Sequence, residues 1–452
     1  MRLNGMQQLL SKLKELFYIP KENWMEVDKL VYGLDDYFSY DSQEIEKIRL
    51  NAIRESFSHH YSNNLFYHNY CRENGIKPGD IKSIDDLIKI PLLEDKFFKE
   101  YPGDKPKQLY EWLYTVSSVE IGKFDFKGKS IEEFLEWTEE KLNGVVTHSS
   151  GTTGKFSFMF RDDRTRKRMF YSADKILLFS IYPPKDNAHV VYPGPIKTHL
   201  TMGRWVAEGT KIFDDQHRHF LTDRKLSMDI IRIMSGQVGG MKDRLKLLLI
   251  QKAMHKGQLK LIKLLEEIER RKEQMYMITF PFQLYDLMKI MEEKGIYLDL
   301  GKTDSVIITG GGWKIHENIK ITSGEMAYRI EKFFGISREN YRDIYGMSEM
   351  NALALECKAR YKHFPPWIYP MVLDEDYEPV GFGEEGRFAF LDAAAHSYPG
   401  FIITGDKVKL LEECPECGNK GIIIEGEITR MAGAGAKGCG NLMRELMVEE
   451  MR

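Results

Sequence analysis

Five short β-rich runs set the fold class of this chain: His189–Tyr192, Tyr276–Thr279, Ser305–Thr309, Arg387–Leu391 and Gly421–Ile424. From Gly144 onward such runs alternate with helical stretches, which predicts α/β architecture with at least one largely parallel sheet. Val306-Ile-Ile-Thr-Gly-Gly-Gly-Trp-Lys314 is the most telling of them, a buried-strand pattern that runs straight into three glycines. A strand that ends this way lets a flat ligand lie against bare backbone, and α/β proteins place ligands at the carboxyl ends of their strands. The expected organisation is a mainly helical, aromatic-rich region over 1–140, a core over 141–425 interrupted by a lysine- and leucine-rich helical insert at 221–274, and a short flexible arm over 426–452.

The densest chemistry lies at 147–155, Thr-His-Ser-Ser-Gly-Thr-Thr-Gly-Lys. Gly151 and Gly154 can take positive φ and turn backbone N–H groups toward an anion. Ser149, Ser150, Thr152 and Thr153 add neutral donors, and Lys155 adds a mobile point charge. Together they suit a polyphosphate. The glycine spacing is not that of a Walker A loop, and Phe156-Ser-Phe-Met-Phe160 alternates as a strand does, so a hairpin loop is expected to hold the phosphates. An ordinary Ser/Gly turn is the alternative reading of the glycine pair.

Bulk properties narrow the classes. A formal charge of -3 over 452 residues gives no global reason to expect nucleic acid as a partner. Five cysteines are too few for a disulfide framework, which points to a reducing, cytoplasmic setting. No apolar run reaches the length of a membrane span, and the N-terminus lacks a continuous apolar signal region. The insert reads as a solvated helical cap, with a basic surface for an acidic partner as the alternative.

Two further clusters join the first two. Tyr345-Gly-Met-Ser-Glu349 offers a ring, a close-approach glycine, a hydroxyl and a carboxylate, and Phe401-Ile-Ile-Thr-Gly-Asp406 is an apolar strand expected to end in a turn with a carboxylate. In this order the four motifs resemble the adenylate-forming superfamily of acyl-CoA synthetases and their relatives. The chain is most similar to the phenylacetate–CoA ligase branch and to the acyl-protein synthetases of bacterial bioluminescence, with Gly310–Lys314 and Lys437-Gly438-Cys439 as shared elements.

The resemblance implies ATP-dependent activation of a carboxylic acid to an acyl-adenylate. On it, Ser149–Lys155 (Ser149, Ser150, Gly151, Thr152, Thr153, Gly154 and Lys155) hold the β- and γ-phosphates. Gly310, Gly311, Gly312, Tyr345 and Gly346 frame the adenine, Ser348 donates to the α-phosphate, Glu349 binds Mg²⁺, and Asp406 accepts from the ribose hydroxyls. The superfamily usually carries a further C-terminal domain with a catalytic lysine. Only residues 427–452 follow Gly426, too few for such a core, and Arg430 is read as the displaced hinge arginine.

That shortfall turns attention to thiols. Cys439, among glycines and beside Lys437, matches the position of the acyl-carrying cysteine of acyl-protein synthetases; a stray thiol in a floppy tail is the alternative. Cys414-Pro-Glu-Cys417 is a knuckle that gives half a tetrahedral zinc site, and Cys357 with His363, echoed in the phenylacetate–CoA ligase branch, completes it. A reduced pair in a turn and a redox couple are the other readings.

The resulting expectation is an acid–thiol ligase that forms an acyl-AMP from a fatty or aryl acid and passes the acyl group to a protein cysteine. ATP and Mg²⁺ are its cofactors, zinc its structural metal. Its partners are the small acid and an acyl-accepting protein or acyl reductase, with a homodimer built on the N-terminal helices. Two rival readings are a CoA ligase with a separately supplied C-terminal domain and an inactive nucleotide-binding scaffold.

Overall fold

In chain order the strands are β1 Leu93–Glu94, β2 Gly144–His148, β3 Phe158–Asp162, β4 His189–Pro195, β5 Arg218–Thr222, β6 Met275–Thr279 and β7 Val306–Gly310. They continue with β8 Tyr341–Tyr345, β9 Ala354–Glu356, β10 Lys362–His363, β11 Ile368–Leu373, β12 Glu385–Asp392, β13 Phe401–Leu411 and β14 Ile423–Arg430. The computed structural model describes residues 2–40, 42–103, 105–150, 155–179, 181, 183–185, 187–234, 236–313 and 319–431, with backbone alone for 2–5. The chain folds as two units, one of Met1–Leu16, Ser149–Phe156 and Asp174–Met347, the other of Phe17–His148, Ser157–Ala173 and Ser348–Arg452.

The first unit is built on parallel strands in the order β5-β4-β6-β7-β8. Helices Met241–Arg271, Pro281–Lys294 and Ser323–Phe334 make the crossovers between β5 and β6, β6 and β7, and β7 and β8. Each boundary has a local cause. Pro281 starts one helix at a position where no N–H is needed, and Thr322 caps another by accepting from the Glu325 amide at 3.1 Å. Gly295 and Gly335 end those helices in the left-handed conformation. β6 and β7 are buried along their whole length, as expected of strands covered on both faces. Their core holds Met275, Met277 and Ile307 against Leu265, Leu287, Met291, Ile330 and Phe333.

In the second unit β11-β12-β13-β14-β10-β9 pair antiparallel, with β1 parallel to β13 and a separate β2–β3 hairpin. The helices Ser42–Asn63 and Leu65–Glu73 are joined at Asn64, whose side chain accepts from the Tyr67 amide at 2.7 Å. Ser130 and Glu133 form a capping box at the start of Ile131–Lys141. In the aromatic-rich N-terminal region Trp112, Phe57 and Phe66 are fully buried, as is Trp367 further along.

Two sequence expectations change in detail. The strand after the glycine-rich loop begins at Phe158, two residues later than expected, and its first four residues are all buried. The alternation over 156–160 therefore marks no solvent face. Thr404-Gly-Asp406 is not a turn, because β13 continues to Leu411. Instead the register with β12 shifts between Arg387 and Ala389, and that with β14 between Lys407 and Lys409. Such irregularities bend a strand and re-aim a side chain without ending it.

Candidate functional site

In the first unit, two motif elements sit where β-strands end. β7 closes on Gly310, where an added Cβ would meet Ile344 Cγ1 at 2.6 Å, so the close approach of β8 demands glycine there. Gly311 and Gly312 have φ of 78° and 66°, a left-handed turn with open space beside Gly312. Trp313 then folds back into the core and meets the Tyr285 ring at 5.8 Å. Tyr345 is the last residue of β8, with Gly346 directly after it, and both are half-buried. Ser149 and Ser150 are half-buried and Lys155 exposed, while Gly151, Thr152, Thr153 and Gly154 lie outside the described residues.

In the second unit, Ser348 and Glu349 open a loop held from behind by Arg161, a fully buried residue of β3. Its guanidinium donates to the Ser348 carbonyl, to Asn351 Oδ1 at 2.7 Å, to Thr147 Oγ1 at 2.8 Å and to the Tyr398 hydroxyl at 3.1 Å. Asn351 in turn donates to Asp392 at 3.0 Å, from its side chain, and at 2.8 Å from its amide. This network was not foreseen from the sequence. An arginine inside the apolar Phe-Met-Phe-Arg run was its one visible sign; its partners lie up to 237 residues away.

Glu349 is 4% exposed. Burial pushes its carboxyl above the usual range, with the Asp95 charge adding to it, while the Ser157 hydroxyl and Lys99 pull it back. A carboxylate so placed gains from a neighbouring cation. Asp406 lies on the shifted segment of β13, where its register partner is Arg430 and its Oδ1 receives the Arg430 Nε at 3.1 Å. The structure thus joins two residues that the sequence reading placed in different roles. Cys439 lies outside the described residues.

A second cluster of this unit unites four predicted ligands. Cys357, His363, Cys414 and Cys417 bring their ligand atoms within 4.8 Å of one another. His363 Nε2 stands 3.4 Å from Cys417 Sγ. Backbone amides are aimed at the sulfurs: Cys417 N–H at Cys414 and Asn419 N–H at Cys417, both 3.5 Å, and the amides of Tyr361 and Ala359 at Cys357. Gly418 and Gly421, at φ of 71° and 91°, let the knuckle close. Burial lowers His363 to about 4 and raises Cys417 to about 12, so without a further charge these two groups stay neutral.

Among solved structures, an open conformation of 2-hydroxyisobutyryl-CoA ligase, bound to 2-HIB-AMP and CoA, matches with a TM-score of 0.57 over 93% of this chain and 83% of that one. At 15% identity the match is one of fold, and it gives this chain the α/β fold of adenylate-forming enzymes. A family model described as acyl-protein synthetase, LuxE, matches residues 254–448. The long-chain-fatty-acid–luciferin-component ligase of Aliivibrio fischeri is 25% identical over 435 residues, spanning 94% of this chain and 96% of that protein. Its counterpart from Vibrio harveyi is 24% identical over 435 residues, 93% of each. The chain is an enzyme of the ligase class, similar to the acyl-protein synthetases. Among the described residues no helix is long and apolar enough to cross a membrane.

Proposed function

We propose that this chain activates a fatty acid with ATP and transfers the acyl group to a thiol on a protein. The observation that carries the reading is similarity across 94% of the chain to a ligase named for a long-chain fatty acid. In the first step a carboxylate oxygen attacks the α-phosphorus of ATP and pyrophosphate leaves. In the second a thiolate attacks the acyl carbon and AMP leaves. Both are steps in which positioning and fixed charge do most of the catalytic work.

The roles follow from residue chemistry. The alcohols and glycines of 149–154 and Lys155 bind the β- and γ-phosphates, Gly310–Gly312 and Tyr345 with Gly346 border the base, and Asp406 accepts from the ribose. Ser348 donates to the α-phosphate from a loop that Arg161 fixes. Glu349, buried and pushed toward its neutral form, would hold Mg²⁺, a hard ion that offsets phosphate charge when bound. Arg430 orients the Asp406 carboxylate through their 3.1 Å pair. Cys439 is the proposed acyl acceptor.

The four-residue cluster fits zinc. Its donor set is three sulfurs and one imidazole, whose Nε2 faces the Cys417 sulfur at 3.4 Å, and the amides aimed at sulfur favour thiolates. Zinc bound there would cross-link the β9–β10 region to the turn between β13 and β14, a structural role.

A hydroxamate-trapping assay with ATP, Mg²⁺ and acids of graded length tests the activation step. Trapping with long-chain acids in the absence of CoA is expected; no trapping with any acid overturns it. Cys439→Ser should abolish a thioester-linked acyl enzyme while leaving ATP–pyrophosphate exchange intact, and labelling that survives removes Cys439 as acceptor. A strict CoA requirement for turnover points to the CoA ligase reading.

A further inference from the structure

The helix Met241–Arg271 changes character along its length. Its second half carries Leu261, Ile262, Leu265 and Ile268 into the core of the first unit. Gly257 marks where the helix meets the sheet, since a Cβ there would strike Leu221 of β5 at 2.4 Å. Among the described residues nothing covers the outer side of the first half in this way. Met241, Leu245, Leu248 and Leu249 are 87%, 60%, 63% and 61% exposed, an unusual state for four large apolar side chains within nine residues. Their spacing places them on one stripe, and further along the same stripe come the exposed Lys252, Lys256 and Lys263. Lys242 and Arg244, both exposed, flank it, together with Lys246, which pairs with Asp229 at 2.7 Å. The one acidic residue in the first half, Asp243, is turned to Arg232 and the Gly239 amide.

We infer that this face docks on an anionic lipid surface, with the leucines entering the headgroup boundary and the lysines meeting lipid phosphates. An apolar stripe edged and continued by lysines is the make-up of a helix that lies in a membrane interface, where neither the apolar contact nor the charge alone holds firmly. A second copy of the same face is a poor occupant, because the cations would oppose one another across the contact. An acidic soluble protein would satisfy the lysines but gives no reason for four exposed apolar side chains. The inference is independent of the activity proposed above, since none of these residues has a part in the acyl-transfer roles.

Flotation of the intact chain with vesicles tests it. Binding to vesicles of mixed phosphatidylglycerol and phosphatidylcholine is expected, about tenfold stronger than to phosphatidylcholine alone and weakening with salt. Leu245→Glu with Leu248→Glu, and separately Lys252→Glu with Lys256→Glu, should each lower binding about tenfold or more while leaving ATP–pyrophosphate exchange and the circular dichroism spectrum unchanged. Leu248→Trp, a mild change at an exposed position, should show a blue-shifted emission on adding the anionic vesicles. Failure of the wild type to float, equal binding by the leucine variants, or an unmoved emission overturns the inference. So does a dimer in sedimentation velocity that the leucine variants disperse, or equal retention by poly-glutamate regardless of those variants, which would mark a basic face for an acidic protein.

Discussion

Two buried polar clusters of the second unit contain histidine, and they are finished differently. Around His60 the hydrogen-bonding groups meet protein partners: Nδ1 faces Ser118 Oγ at 2.7 Å and Nε2 the Ala395 carbonyl at 3.2 Å. His59 stacks on His396 at 4.2 Å, and His396 Nδ1 lies 3.0 Å from Asp162. Arg161 is completed in the same way, by carbonyl, amide and hydroxyl oxygens. The cysteine–histidine cluster instead gathers three thiols and an imidazole whose Nδ1 finds no hydrogen-bond partner among the described residues. A cluster that hydrogen-bonded oxygens and nitrogens complete reads as architecture, and one whose converging atoms are three sulfurs and the His363 Nε2 reads as awaiting a metal ion.

The contrast is tested hardest at Arg161. Arg161→Met should cost about 3–5 kcal/mol in chemical denaturation, since it strips a buried network of its central donor. It should also depress ATP–pyrophosphate exchange by freeing the Ser348–Glu349 loop. Arg161→Lys should rescue little, because a point charge cannot serve four acceptors in the plane of a guanidinium. If Arg161→Met unfolds at the wild-type midpoint, the completed cluster is not structural after all.

At the open cluster the decisive measurement is metal content. The purified chain should carry one equivalent of zinc, lost in Cys417→Ser, with a stability loss of about 2–3 kcal/mol. A strong chelator should reproduce that loss in the wild type and change nothing in the variant. Zinc-free protein of unaltered stability would make the set a reduced knuckle.

A smaller, graded effect is expected from pH. Burial, followed by the neighbouring His59 and His396 charges, holds His60 well below 6.5, and burial holds His59 at about 4. The unfolded chain therefore takes up these protons first as acid is added. Their contribution is complete above about pH 6.5 and is lost as pH falls toward 4, at about 1.4 kcal/mol per pH unit for each histidine still neutral in the fold. His60→Gln should remove one such increment from the slope of denaturation free energy against pH, and an unchanged slope would show that His60 does not stay neutral.

How far the sequence foretold these sites depends on how local their causes are. Three strands of the parallel sheet, β4, β6 and β7, were legible because each is a compact apolar run, whereas β5 and β8 carry charged residues and were not foreseen; the cysteine cluster was legible because two of its ligands lie three residues apart. Gly310–Gly312 were readable as a special turn, which positive φ and the approach of Ile344 explain. Asp406 was placed at a turn because Thr-Gly-Asp is turn chemistry, yet pairing with β12 and β14 carries the strand on through it. The Arg161 network was hidden for a different reason. Asn351, Asp392 and Tyr398 carry no local signature, and only long-range packing of the second unit brings them to one cation.

The smallest stability effect is expected at Arg430, and it separates architecture from chemistry most finely. Its side chain is 67% exposed, so its 3.1 Å pair with Asp406 should add only about 0.2–1 kcal/mol to stability. Arg430→Ala should therefore leave the denaturation midpoint almost unmoved. If Arg430 orients the Asp406 carboxylate for a ribose, the same change should raise the KM for ATP in the exchange reaction, with Arg430→Lys recovering part of it. A KM that stays at the wild-type value would reduce the pair to a surface contact and leave Asp406 to hold its own orientation, through the 3.0 Å bond from its amide to Thr404 Oγ1 and the bend of β13.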